Sequence, residues 1–217
     1  MSAAVPTNGE QRIAVEPRRV KTDGKDLPGR LIVLSGASGA GKSTVVDRLL
    51  EKSGGRVQRS ISATTRAPRG GEVHGRDYLF LSPEEFEAIR DDLLESAEVH
   101  GACYGTPAEP VRQALAEGKD VILVIDVQGG FQVRDVVPNA LLVFVQAPSL
   151  EVLEARLRAR GTDDEAAVAR RLRNARFEIE AAKGYDVQLV NDDLDACVDA
   201  LAATLARHPE GDETDHD

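Results

Sequence analysis

Eight consecutive residues, Gly36-Ala37-Ser38-Gly39-Ala40-Gly41-Lys42-Ser43, satisfy the pattern G-x-x-x-x-G-K-[ST] at every position. Each residue type has a chemical use where it stands. The glycines let backbone N–H groups turn inward on a polyphosphate, Lys42 can bridge the outer phosphates, and the Ser43 hydroxyl suits a magnesium ion. Before the loop, Leu31-Ile32-Val33-Leu34 reads as a short buried strand. After it, Val45, Val46, Leu49 and Leu50 recur at helical spacing over residues 44–52. That spacing predicts a helix whose positive end adds to the attraction for phosphate. A plain Gly/Ser-rich turn would share the glycines but would require neither the lysine and serine nor both flanks. The stretch is therefore read as a nucleoside triphosphate site.

Other residues could add to that chemistry. Asp126 follows the apolar run 121–125, at the carboxyl end of an expected strand. An aspartate there either serves a magnesium shell or opens a turn ahead of Gln128-Gly129-Gly130. Arg156, Arg158, Arg160, Arg170, Arg171, Arg173 and Arg176 stand among acidic neighbours, which is the pattern of a solvated helix surface.

Elements able to position these groups are visible in the apolar pattern. The runs 31–34, 121–125 and 141–145 are rich in Val, Ile and Leu without alternation, as in strands covered on both faces. Helical spacing occurs over 44–52, 110–117, 150–160, 165–182 and 194–206, and 187–190 could be a further strand. Alternating strands and helices predict an α/β fold, a three-layer parallel sheet flanked by helices, with ligands at the strands' carboxyl ends. Residues 60–106 break this rhythm and read as a small strand-rich inserted lobe. It includes a charged helix with Ser82 as N-cap and Pro83 at its first position.

Composition excludes several function classes. The 217 residues allow one domain with an inserted lobe, and 41% hydrophobic content without tryptophan implies an aliphatic core. A net charge of −10 argues against general nucleic-acid binding and against an anionic membrane surface. Cys103 and Cys197 match no metal-ligand spacing, and no apolar run approaches a membrane span, so a reduced, cytoplasmic setting is expected. Residues 1–28 read as a disordered leader, with Arg18, Arg19 and Lys21 as a small basic contact or merely solvated. Residues 208–217 read as a loose acidic tail.

Taken together, the motifs resemble those of guanylate kinases. The matching pieces are the loop 36–43, Ser60 to Arg69 with its Thr64-Thr65-Arg66-Ala67-Pro68-Arg69, and Gly71 to Tyr78. Further pieces are Tyr104-Gly105-Thr106, Ile125 to Gly129, Arg156 to Gly161, and Val190 to Leu194. They fall in the family's order over roughly residues 29–205. The resemblance implies phosphoryl transfer from ATP, with Mg2+, to GMP. It divides residues 29–207 into a core (29–59, 107–150 and 185–207), a GMP-binding lobe (60–106) and a lid (151–184). It implies that Gly36–Thr44 and Asn191 bind ATP, and that Arg156, Arg160 and Arg171 close over it. Oligomeric state is left open.

The same resemblance implies that Arg66, Arg69, Tyr78 and Tyr104 clamp the GMP phosphate, a role for which arginine's planar fork is suited. Glu95 and Asp126, with Ser62 and Thr106, would read the N–H donors of guanine. Glu95 taken alone would read as a solvated helix-end charge. Two departures stand out. Ala37 replaces the family's usual proline, and Val124 replaces an acidic residue, leaving Asp126 to serve alone. Two neighbours of the family are alternatives: a ribose 1,5-bisphosphate phosphokinase-like enzyme, and a non-catalytic phosphopeptide-binding module. The base-reading set weighs against the first, and intact Lys42 and Ser43 against the second.

Overall fold

The computed structural model describes residues 27–99, 101–159, 161 and 164–207; the expected leader up to residue 26, the acidic tail and Arg160 lie outside the described residues. The chain takes a mixed α/β fold in which a mostly parallel five-stranded sheet is flanked by helices. It divides into two units. Among the described residues, one holds 27–34 and Gln58–Leu142, the other Ser35–Val57 and 143–207.

The first unit carries most of β1 (Leu31–Ser35) and of β2 (Val57–Arg59), then β3 (Ala63–Thr64) and β4 (Leu79–Phe80). After α1 (Lys42–Lys52) of the other unit, its helices are α2 (Pro83–Ala88), α3 (Ala108–Ala116) and α4 (Val127–Val136). Strands β5 (Leu93–Val99), β6 (Ala102–Pro107) and β7 (Asp120–Val124) complete it. β1 and β7 run parallel, from Leu31 opposite Val121 to Leu34 opposite Val124. Ile32, Val33, Leu34, Ile122 and Leu123 are fully buried, which is why these runs do not alternate. At the mouth of β7, Asp120 accepts from the Arg30 backbone N–H, Nε and Nη2 at 3.1, 3.0 and 2.6 Å, fastening the start of one strand to the next.

The four strands between residues 63 and 107 form a separate sheet in the order β4-β3-β6-β5. Phe86 of α2 packs with Ala63 and Leu93 behind it. Ser82 caps α2 as expected, accepting from the Glu85 N–H while Glu85 Oε2 accepts from the Ser82 N–H.

The second unit holds α1, β8 (Leu141–Gln146, from Val143), α5 (Leu150–Ala159), α6 (Glu165–Ala181), β9 (Val187–Val190) and α7 (Leu194–Arg207). β8 and β9 are parallel, α1 packs on α7, and α5 packs on α6. Tyr185 meets Phe144 edge-on at 6.0 Å and hydrogen-bonds Ser35 Oγ at 2.8 Å.

The helices differ from expectation in three places, one being α1, which begins two residues earlier than its apolar spacing predicts. α3 begins two residues before Pro110, because the missing N–H of proline costs nothing in a helix's first turn. α4 was not expected, since Gln128-Gly129-Gly130 reads as a turn. Gly129 allows a close approach there: a Cβ would lie 3.1 Å from Glu95 Oε2 and 3.2 Å from Ile125 Cδ1, a tight fit to two side-chain ends. Among the described residues no helix is long and apolar enough to cross a membrane.

Candidate active site

In the second unit, the loop 36–41 leads into α1, whose N-cap is Gly41 at φ 91° with no side-chain cap. The leading N–H groups of α1 therefore have no side-chain acceptor at the cap, and the helix dipole favours an anion there. A Cβ at Gly41 would stand 2.3 Å from Asn191 Nδ2, so both backbone angle and space demand glycine.

The loop is braced from several sides. Asn191 is 6% exposed, and its Nδ2 donates to the Ala40 carbonyl at 2.8 Å. Arg156 Nη2 donates to the Asn191 carbonyl at 2.9 Å, and Arg171 Nη1 donates to Ser38 Oγ at 2.6 Å. Lys42 Nζ donates to the Gly36 carbonyl and, at 3.1 Å, to that of Ala37. The methyl of Ala37 is buried with Leu153, Leu157 and Ala175, so the side chain that replaces proline anchors the loop on α5 and α6. Ser43 and Thr44 are exposed on the first turn of α1.

In the first unit, two connected groups gather the expected acceptor residues. The deeper one is a chain of hydroxyls ending in a carboxylate. Ser62 Oγ lies 3.4 Å from Thr106 Oγ1, which donates to Glu95 Oε1 at 2.7 Å. Glu95 is a strand residue rather than a helix-end charge. It lies within the register shift of β5 between Leu93 and Ser96, a bulge of the kind that re-aims side chains. Thr106 is fully buried and Glu95 is 5% exposed. Burial raises the Glu95 carboxyl to about 7, with the charge of Asp126 adding to the shift and the Thr106 hydrogen bond opposing it. Asp126 is the N-cap of α4 and accepts from the Gly129 N–H at 2.8 Å. The helix-opening role and nearness to Glu95 thus coincide in one residue.

The shallower group is the loop 64–72. Its two threonines lock it to β6: Thr64 Oγ1 donates to the Cys103 carbonyl, and Thr65 Oγ1 accepts from the Cys103 N–H, both at 2.9 Å. Tyr104 follows directly, its ring 6.3 Å from that of Tyr78. The Arg66 guanidinium lies over Tyr78 at 5.0 Å and over Phe80 at 5.6 Å. Arg69 is exposed on the same loop.

This arrangement can hold an anion against arginines and tyrosines, and hydrogen-bond donors against buried oxygens. The model of the guanylate kinase family matches residues 28–208. The chain belongs to the guanylate kinase family. A guanylate kinase of Gloeobacter violaceus is 53% identical over 178 residues, which cover 81% of this chain and 86% of that protein. One of Synechocystis sp. is 49% identical over 185 residues, covering 84% of this chain and 96% of its own. The crystal structure of a guanylate kinase from Anaplasma phagocytophilum shares 34% identity and a TM-score of 0.66, over 84% of this chain and 86% of that one.

The contacts of two residues, one within a guanylate kinase motif and one outside, escape sequence reasoning. Glu72 was visible only as part of the motif that follows Arg69, yet its carboxylate takes both terminal nitrogens of Arg66, at 2.6 and 2.7 Å. Gln132 gave no signal at all, being one polar residue on an unexpected helix; its amide pairs with Ser96, next to Glu95.

Proposed function

We propose that this chain transfers the γ-phosphoryl group of ATP to GMP, giving ADP and GDP. The reading is carried above all by the chain that runs from half-buried Ser62 through buried Thr106 to buried Glu95, beside Asp126. Guanine presents N1–H and N2–H together, and a carboxylate flanked by a second carboxylate and hydroxyls is the set that accepts them. Adenine would leave these buried acceptors unpaired, which supports discrimination on the order of 10⁴. We assign Ser62, Glu95, Thr106 and Asp126 to the base and Arg66, Arg69, Tyr78 and Tyr104 to the GMP phosphate.

The donor belongs to the loop. Gly36 to Thr44 would wrap the ATP phosphates with backbone N–H groups, with Lys42 turning from the loop carbonyls to the outer phosphates. Arg156 and Arg171, and by family resemblance Arg160, would neutralise charge on the transferring group, and Asn191 would lie near the adenine. A GMP phosphate oxygen attacks the γ-phosphorus while the ADP oxygen leaves, so the protein's work is alignment and charge stabilisation. Magnesium, when bound with the nucleotide, would supply positive charge that offsets the charge of the phosphates, and Ser43 is the residue that would help hold it. An exposed hydroxyl at the helix start, Ser43, fits a hard cation that keeps phosphates and water as its other ligands. Among the described residues no cluster of three or more His, Cys, Asp or Glu offers a cage of its own.

We further assign residues 60–106 as the GMP lobe, 151–184 as the lid, and the cytoplasm as the working compartment. A coupled ADP-release assay offering GMP, AMP, CMP, UMP and ribose 1,5-bisphosphate in parallel tests the activity. Turnover confined to GMP is expected. Preference for the ribose bisphosphate, or no turnover with any acceptor, would overturn the reading.

A further inference from the structure

The loop between Arg66 and Glu72 carries an internal ion pair at the place where the proposed acceptor phosphate would bind. Glu72 Oε2 accepts from Arg66 Nη1 at 2.6 Å and Oε1 accepts from Nη2 at 2.7 Å. Nη1 also donates to the Ala67 carbonyl at 3.0 Å. A guanidinium has five N–H groups in a fixed plane. Nη1 is thus filled and Nη2 half used, so that Nε and the second Nη2 proton, the side edge of the fork, are not consumed by these bonds; the Tyr104 hydroxyl interacts with the same guanidinium and would share it with a phosphate. Two parallel donors on that edge match two phosphate oxygens. Glu72 Oε2 accepts in addition from the Arg69 backbone N–H at 2.7 Å, and the Glu72 N–H donates to the Arg69 carbonyl at 3.0 Å. One carboxylate therefore fixes both the Arg66 side chain and the backbone that carries Arg69.

We propose that Glu72 is a positioning residue for the acceptor phosphate: it grips the end of the Arg66 fork, turns the fork's side edge to the phosphate, and sets the turn that presents Arg69. Two effects of Glu72 oppose each other here. Its negative charge repels a dianionic phosphate, while its grip removes the rotamer freedom of a long side chain before the ligand arrives. The geometry favours the grip. Arg66 is only 13% exposed in its side chain and lies over two rings, so a fork released by Glu72 would have to be re-ordered on binding. The Arg66–Glu72 pair also holds the Glu72 carboxyl at about 2, so the grip persists across the working pH range.

The inference rests on the GMP reading, and the test separates the two. With the full chain, binding of GMP and of guanosine is titrated for wild type, Glu72→Gln and Glu72→Asp, together with the KM for ATP. Glu72→Gln should weaken GMP about 10- to 100-fold while guanosine binding and the KM for ATP stay within about twofold of wild type. Glu72→Asp, which keeps the charge but shortens the reach, should fall between, and it serves if the glutamine variant does not fold. In an Arg66→Ala background, Glu72→Gln should change GMP affinity by less than about threefold. Tighter GMP binding by Glu72→Gln would show that repulsion dominates and would overturn the proposal. So would equal losses for GMP and guanosine, or an undiminished effect without Arg66. If wild type turns over GMP and Glu72→Gln matches it, only this inference falls; if wild type does not accept GMP, both fall.

Discussion

The Gln132 side chain pairs with the backbone of Ser96 as a neighbouring strand would: its Oε1 accepts from the Ser96 N–H at 3.1 Å and its Nε2 donates to the Ser96 carbonyl at 3.2 Å. The helix that Asp126 caps is thereby stitched to the strand that carries Glu95, one residue away from that carboxyl. Gln132→Ala removes both bonds from a residue that is 8% exposed. A loss of about 1–3 kcal/mol is expected in denaturant unfolding. GMP-over-AMP selectivity should fall with it, because the two carboxyls lose a shared frame. Unchanged selectivity in a destabilised variant would make Gln132 purely structural.

With Glu95 assigned to the base, guanine recognition should depend on pH. The Glu95 carboxyl sits at about 7, and only the ionised form accepts from both guanine donors. Guanosine affinity should therefore decline as pH falls below about 7, approaching tenfold per unit, and Glu95→Gln should flatten the profile at a weaker affinity. Guanosine is the suitable probe because a phosphate monoester titrates near pH 6 itself. Folding stability runs the other way. The native state retains the Glu95 proton between the ordinary glutamate value, 4.5, and about 7, so this group's contribution is full below that window and is lost as pH rises through it.

Lys42→Ala should reduce turnover about 10²-fold or more while GMP still binds, since the proposed function assigns this first residue of α1 to the phosphoryl donor. Single-turnover rates beside GMP titration measure the two separately. A near-normal rate would remove Lys42 from the chemistry.

Arg69 is exposed and its backbone, not its side chain, is tied to Glu72. Arg69→Ala should consequently leave the fold intact and weaken GMP about tenfold or more, with ATP affinity nearly constant. Equal losses for the two nucleotides in separate titrations would count against a phosphate contact.

The sequence made some levels of this structure readable and hid others for identifiable reasons. Runs such as Leu31–Ser35 and Leu141–Gln146 were legible because burial on both faces leaves an uninterrupted apolar signature. The loop was legible because Gly41 and Lys42 answer to local demands of backbone and charge. Helix α4 was hidden because Gly129 answers to a neighbour on a strand, Glu95, and not to its own turn. The burial of Glu95 was hidden for a related reason, since a bulge gives no period to detect. Asn191 looked like a nucleotide contact, and its bond to Ala40 beneath the loop could be seen only in three dimensions. Pairings 6, 36 or 151 residues apart in the chain leave no trace in local spacing, and these brace the loop and the acceptor residues.

The T-shaped pair of Tyr78 and Tyr104 gives the chain a built-in optical probe. The protein has three tyrosines and no tryptophan, so its ultraviolet emission is tyrosine emission. The third source, Tyr185, is buried against Phe144 with its hydroxyl on Ser35. Two of the three emitters thus sit in the acceptor group. If GMP binds there as proposed, its occupancy should be visible in intrinsic fluorescence without attaching a dye.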